Sequence, residues 1–298
     1  MKLSLAGKTA LITGASRGIG RAIAIAMAEA GADIVFTYNN SKDAAEKTKK
    51  SISRIGNMVI AVKTELSDEK AILGLFKELD KQKIQIDILV NNAGIILEKP
   101  TVETSATNFD QLMAINLRGT FLTGREALIR MKAKGLEGRI INISSDLGFL
   151  GRESFGVYAA SKGAINALTK SWALEFAPHI LVNGIAPGPV DTDMLDLKNM
   201  TPEWREKEAQ IPMERIGQPE EIAGLAVFLS SDQASFVTGQ IYGGISPLGL
   251  PENIQVYMDK NVTDREKLFI GAGNRVSKFF LSPETLIQLS SAEVLDLT

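Results

Sequence analysis

Cysteine is absent from the 298 residues, which excludes disulfides, thiolate metal sites and cysteine nucleophiles. A single histidine, His179, removes most imidazole metal sites and leaves any serine–histidine–aspartate arrangement dependent on it alone. It follows Pro178 in an expected loop, and no serine elbow accompanies it, so His179 reads as a surface residue and no metal is expected. An excess of one charge is missing too. Lys and Arg number 33 against 35 Asp and Glu, a net charge of −2, which gives neither a nucleic-acid footprint nor a polybasic membrane patch. No stretch approaches the ~18 apolar residues of a membrane span. The opening residues lack the apolar core and cleavage site of a signal peptide. The expectation is a soluble cytoplasmic protein with no nucleic-acid and no membrane partner.

Apolar runs of strand length recur instead, at Lys8–Thr13, Asp33–Tyr38, Met58–Lys63, Ile86–Asn91, Arg139–Ile143 and Ile180–Ile185. Between them lie segments of helical period: Ile19–Glu29, Lys42–Ile55, Glu69–Lys81, Ala106–Lys132 and Val157–Phe176. Strands buried on both faces read as continuous apolar runs. Their alternation with helices predicts an α/β fold, a doubly wound parallel sheet with right-handed crossovers. No composition break divides residues 1–245, which are read as one Rossmann-type domain.

The first strand runs into Thr13-Gly14-Ala15-Ser16-Arg17-Gly18-Ile19-Gly20 and then a helix. Gly14 lets the chain turn sharply off the strand, Gly18 permits close approach to a pyrophosphate, and Gly20 lets the helix pack against the strand. The free N–H groups and positive dipole of the helix N-terminus then face the anion. The end of the second strand reads Thr37-Tyr38-Asn39-Asn40, with no acid to accept from a ribose 2′-hydroxyl. Arg17 lies in the loop itself and suits a 2′-phosphate. NADP(H) is therefore expected over NAD(H), with Tyr38 and Asn39 beside the adenosine ribose.

Tyr158 and Lys162 stand four residues apart at the start of a helical segment, on one helix face. A phenol titrates near 10 and is a poor base at neutral pH. An ammonium ~5 Å away favours the phenolate by on the order of 3 kcal/mol at an effective dielectric of ~20. The pair is thus expected to bring Tyr158 into range for proton transfer to a carbonyl or from an alcohol. Ser145 lies at the carboxyl end of the fifth strand, where ligands bind in open α/β sheets, and its hydroxyl can donate to the substrate oxygen. Asn116 falls mid-helix, where Asn is a mediocre helix former. It is read either as a solvent-facing residue or as a local break whose freed carbonyl holds a water beside Lys162.

In this order Thr13–Gly20, Asn91-Asn92-Ala93-Gly94, Asn116, Ser145, Tyr158, Lys162 and Pro187-Gly188-Pro189-Val190-Asp191-Thr192 resemble the short-chain dehydrogenase/reductase family, over residues 5–244. Ile211–Ala223 is similar to the subgroup of 3-oxoacyl-carrier-protein reductases and glucose 1-dehydrogenases. The resemblance implies a general acid/base in Tyr158, a ribose-holding Lys162 that lowers the tyrosine pKa, an orienting Ser145 and a relay water kept by Asn116. It implies that Pro187, Gly188, Val190 and Thr192 line the nicotinamide side, and that Asn92, Ala93 and Gly94 pack along the adenosine ribose. A homodimer or homotetramer, paired through Ala106–Lys132 and Val157–Phe176, is implied as well. The function expected is interconversion of a ketone and a secondary alcohol on a 3-oxoacyl, sugar or other small carbonyl substrate. The alternative is an NADP(H)-binding regulatory or scaffold protein with little or no turnover.

The chain departs from the family pattern at Glu65, where an Asp usually contacts adenine. It departs again at Leu174, at Ala177–Asn183 and at the shortened Tyr242-Gly243-Gly244. Residues 246–298 continue past the usual end. They are too apolar for a solvated tail and too few to stand alone without staples, so they are read as an extension packing on the domain or a neighbouring subunit. Thr263 with Glu266 reads as a capping box for a helix stopping at Gly271, and Ser282-Pro283 as a second helix start. Trp172 is read as core or interface, Trp204 as a lid residue.

Overall fold

In the computed structural model, which describes residues 3–211 and 213–243 together with four short strands between 257 and 295, the strand-helix alternation produces a parallel sheet. Its strands are β1 (Thr9–Ile12), β2 (Asp33–Tyr38), β3 (Val59–Lys63), β4 (Ile88–Asn91), β5 (Gly138–Ile143), β6 (Ile180–Ala186) and β7 (Ile241–Gly243). They lie in the order β3-β2-β1-β4-β5-β6-β7, every pair parallel. The order reverses beside β1, so a crevice opens at the carboxyl ends of β1 and β4.

The helices are α1 (Gly18–Glu29), α2 (Lys42–Ser53), α3 (Glu69–Lys81), α4 (Ala106–Met113), α5 (Thr120–Ala133), α6 (Leu147–Leu150), α7 (Gly156–Phe176), α8 (Pro202–Ala209) and α9 (Pro219–Ser230). Successive strand residues point to opposite faces, and the apolar runs divide accordingly. Ala10, Ile12, Ile34, Phe36, Ile88 and Val90 join one core with Ile23 and Met27 of α1 and Ala226 of α9. Leu11, Val35 and Leu89 join the other, with Phe76 of α3, Met131 of α5 and Trp172 of α7. Each such side chain contributes ~1.5–3 kcal/mol relative to exposure, so the strands are fixed from both faces. Trp172 is core: its indole lies over Gly124, where an added methyl group would come within 2.1 Å of the ring.

The helical segment expected over Ala106–Lys132 is helical throughout, with one irregularity. A π-helical turn, Ala114–Gly119, joins α4 to α5. The sequence periodicity carries across this turn, which hides the extra residue it accommodates. His179 is exposed.

The chain divides into two compact units, one of Met1–Glu208 and Ile216–Gly243, the other of Ala209–Arg215 and Gly244–Thr298. In the second, β8 (Tyr257–Asp259) pairs in parallel with β11 (Glu293–Leu295), and β9 (Leu268–Gly271) pairs antiparallel with β10 (Lys278–Leu281). Residues 268–271, expected to close a helix, are thus a strand. The run Leu268-Phe269-Ile270 has the composition of a strand, and the equally apolar Phe279-Phe280-Leu281 supplies the pairing partner that a local capping signal does not weigh. Thr263, Glu266, Ser282 and Pro283 lie outside the described residues, as does most of the extension.

Candidate active site

The glycine-rich loop between β1 and α1 is shaped by backbone. Gly14 and Gly18 adopt positive φ, 66° and 55°, a region costly for side chains bearing a Cβ. Gly20 is held by proximity: a Cβ there would meet the Asn92 amide at 2.4 Å and the Gly14 carbonyl at 2.7 Å. Thr13 fastens β1 to β4, its Oγ1 accepting from the backbone amides of Asn92 and Ala93, each at 3.0 Å. Helix α1 begins with no acidic residue in its first turn and no side-chain cap. Its leading amides are therefore open to an anion.

From this loop a cavity of about 710 Å³ runs across the sheet ends. Its walls include Gly14, Ser16, Arg17, Gly18, Ile19, Gly20, Tyr38 and Asn39 at one end, then Asn92, Ala93 and Gly94, and then Ser145, Tyr158, Lys162, Pro187, Gly188, Val190 and Thr192. Of the site residues expected from the sequence, Asn116 alone does not line it. Asn116 is fully buried. Its Oδ1 accepts from the Ile95 amide at 2.8 Å, and its Nδ2 donates to the Ile95 carbonyl at 2.9 Å and to Ser161 Oγ at 3.2 Å. The helix breaks there, as one of the two readings required. The Asn116 carbonyl, however, accepts from Thr120 Oγ1 at 2.8 Å. Asn116 thus clasps the strand-end loop that carries Gly94.

Helix α7 presents Tyr158 and Lys162 to the middle of the cavity. Both are buried. Lys162 Nζ donates to the Ile143 carbonyl at 2.9 Å and lies 5.7 Å from the Tyr158 ring centre. Burial brings the Lys162 ammonium down to about 8. Burial also pushes the Tyr158 phenol up; a hydrogen bond with Ser145 works against this, and the charge of Asp146 adds to it. The expected lowering of the phenol by Lys162 is therefore not met here: loss of water is the largest influence on Tyr158, and the Lys162 ammonium is not among the groups that shift it. The site as built holds Tyr158 as a protonated donor.

The adenosine end differs in detail from the sequence reading. Arg17 pairs with Asp193 at 3.3 Å, both side chains well exposed. Asn39 donates through Nδ2 to Glu65. Glu65 also accepts from the Ser67 amide and hydroxyl at 3.1 and 2.9 Å. Burial opposes its ionisation, yet these donors hold the carboxyl below its usual range. An ionised carboxylate thus stands one strand away from the position where none was found.

The substrate end contains groups that no motif announced. Asp146 Oδ1 accepts a hydrogen bond from the Ser145 hydroxyl at 2.8 Å. Arg152 pairs with Glu208 of α8 at 2.6 Å, and its guanidinium lies over the rings of Phe155 and Trp204, at 5.1 and 5.4 Å. All five line the cavity. Trp204 therefore stands where a lid residue was expected. Adjacency to Ser145 was the one signal for Asp146. Nothing in sequence links residue 152 to residue 208.

Residues 14–243 match a family model described as enoyl-(acyl carrier protein) reductase. A second model, described as an aminoacyl-tRNA editing domain, matches residues 223–289; its first part falls on α9 and β7 of the sheet unit. The 3-oxoacyl-[acyl-carrier-protein] reductase of Aquifex aeolicus is 39% identical over 242 residues, 81% of this chain and 97% of its own. An NADP-dependent (R)-specific alcohol dehydrogenase of Lentilactobacillus kefiri is 39% identical over 239 residues, covering 79% of this chain and 94% of its own. Among solved structures, a proposed NAD(P)-dependent gluconate 5-dehydrogenase from Beutenbergia cavernae, with NADP bound at low occupancy, superposes with a TM-score of 0.77 at 37% identity, covering 81% of this chain and 96% of that one.

Proposed function

Because this chain belongs to the short-chain dehydrogenase/reductase family and is an oxidoreductase of carbonyl and CH–OH groups, we propose that it uses NADP(H) to interconvert a ketone and a secondary alcohol, on a 3-oxoacyl, sugar or other small carbonyl substrate in the cytoplasm. One observation carries the reading. Tyr158, Ser145 and Lys162 converge on the same cavity that the glycine loop closes at its far end.

The cradle suits a dinucleotide. The open amides of α1 and the close backbone of Gly14, Gly18 and Gly20 fit a pyrophosphate. Arg17 is the cation free to turn from Asp193 to a 2′-phosphate, since that pair is exposed and weak. Lys162 would hold the ribose hydroxyls. The nicotinamide, when bound, supplies or accepts the hydride. The protein handles the proton. Tyr158 donates it from the phenol to the carbonyl oxygen, and Ser145 donates a hydrogen bond to the same oxygen. Asn116 positions Gly94 and, through the π-helical turn, the wall behind Lys162; the second lone pair of its carbonyl is where a relay water would sit.

Phe121, Ile129 and Leu174 leave apolar surface exposed on α5 and α7, which supports pairing of subunits through these helices. Among the described residues no helix is long and apolar enough to cross a membrane. Residues 246–298 are proposed to cover a subunit interface or one side of the cleft. The rival reading, a nucleotide-binding regulator or scaffold without turnover, has against it an intact Tyr158, Ser145 and Lys162. Incubation with NADPH and a panel of β-ketoesters, keto sugars and cyclic ketones, following nicotinamide absorbance, separates the two. Binding of NADPH without oxidation by any substrate would favour the regulator.

A further inference from the structure

Asp146 is a partly buried carboxylate beside the reacting centre, and the proton transfer just described does not use it. Its Oδ1 accepts from Ser145 Oγ at 2.8 Å and from the Leu147 amide at 2.8 Å. Its own amide donates to the Pro187 carbonyl at 3.0 Å, tying it to the loop after β6. The amide bond to Leu147 alone would make Asp146 a simple N-cap of the short helix α6, and Asn would serve that purpose equally well. The Ser145 bond requires more. A hydroxyl has one proton. While Ser145 gives that proton to Asp146, it can offer Tyr158 and a substrate oxygen only its lone pairs.

We propose that Asp146 is a positioning residue for the proton-transfer step, holding the Ser145 hydroxyl proton in the resting site and releasing it to the substrate oxygen when a carbonyl binds. The inference rests on the oxidoreductase reading of the cleft. In the resting site Ser145 donates to Asp146 Oδ1 and accepts from the Leu147 amide at 3.2 Å, so its one proton is held away from the Tyr158 oxygen. On binding, the Ser145 O–H turns from the carboxylate to the carbonyl oxygen, and Tyr158 donates to the same oxygen. No bond to a heavy atom changes in this rearrangement; the Ser145 hydrogen bond exchanges one acceptor for another. A hydrogen bond to a charged group is among the stronger kinds, so an ionised Asp146 opposes the productive arrangement and a protonated one does not. The groups facing it are Glu208 of α8, which opposes its ionisation, Arg152, which favours it, and Tyr158 and Lys162 of α7 across the cavity. Burial is the largest influence and raises the Asp146 carboxyl above its ordinary range, which moves its titration toward working pH.

The test compares the wild-type chain with Asp146→Asn and Asp146→Glu by two readouts. The first is kcat/KM for carbonyl reduction against pH. The wild type loses efficiency as pH rises through the Asp146 titration, Asp146→Glu retains that limb, and Asp146→Asn lacks it, with KM for the carbonyl substrate lowered about threefold to tenfold. The second needs no turnover. Tyrosinate absorbance, assigned with Tyr158→Phe, titrates lower in Asp146→Asn by on the order of one unit, because a like charge has gone and Ser145 is free to donate to the phenolate. A phenol titration and a pH profile both identical to wild type in Asp146→Asn would reduce Asp146 to the N-cap of α6 and overturn the proposal. A shifted phenol without turnover on any carbonyl would uphold the coupling and count against the oxidoreductase reading instead.

Discussion

At the nucleotide end of the cleft the backbone does the shaping: two glycines in positive φ, a third pressed against Asn92, and the bare amides of α1. At the substrate end side chains do it, through Asp146 on Ser145 and Arg152 on Glu208 between two aromatic rings. Backbone shape tolerates few residue types, so the first end admits little change at Gly14, Gly18 and Gly20. Ionic side chains can be exchanged pairwise and can come from distant segments, so the second end is free to vary with the substrate.

Tyr158 stands where the two ends meet, and its removal should have the largest effect. Tyr158→Phe is expected to lower kcat by ~10²–10⁴-fold with the cofactor Kd unchanged, measured by steady-state kinetics and fluorescence titration. A Phe variant with near-normal kcat would break the assignment. Next is Gly20→Val. Its branched side chain meets the Gly14 carbonyl and the Asn92 amide, and overpacking of ~1–3 kcal/mol should weaken cofactor binding by roughly tenfold to a hundredfold. Should the Val variant bind NADPH normally, backbone shape would not govern that end.

Lys162 offers a pH test. Its folded pKa, about 8, lies below its usual value, so between those values the unfolded chain binds the more protons. The Lys162 contribution to stability therefore rises as pH climbs from about 8 toward ~10.4. Denaturant titrations across that window should show the rise in wild type and lose it in Lys162→Met. Smaller again is Arg17→Gln, expected to weaken NADPH binding about tenfold, by loss of a charge-assisted contact, while leaving NADH alone. Equal losses for both cofactors would place Arg17 on the pyrophosphate instead. Glu208→Gln should be least: KM for the carbonyl substrate changes a few-fold and cofactor Kd stays constant, as suits a partly exposed pair. A comparable change in cofactor Kd would dissolve the distinction between the two ends.

The strands were legible because a doubly buried strand is a continuous apolar run, and Leu11, Val35 and Leu89 occupy the core that such runs imply. Gly14, Gly18 and Gly20 were legible for the steric reason above. The π-helical turn was half legible: Asn116 marked the break, but its carbonyl bond to Thr120 depends on a helix already distorted. The place of Tyr158 beside Lys162 on one helix face was legible, while the direction of its pKa was not, since spacing reports the ammonium and says nothing of buried depth. Residues 268–271 were misread because a capping box is local and a strand's partner is not.

The placement of the two tryptophans gives the chain a built-in optical probe. Trp172 is sealed over Gly124 and next to Phe121, where an indole emits toward the blue and ignores events in the cleft. Trp204 is 43% exposed at the cavity wall, with Arg152 at 5.4 Å and Lys207 at 4.4 Å from its ring, where emission is redder and sensitive to displaced charge and water. Entry of a molecule at the substrate end should thus change the red component alone, and global unfolding should change both. Occupancy and integrity can be followed in one spectrum without a label.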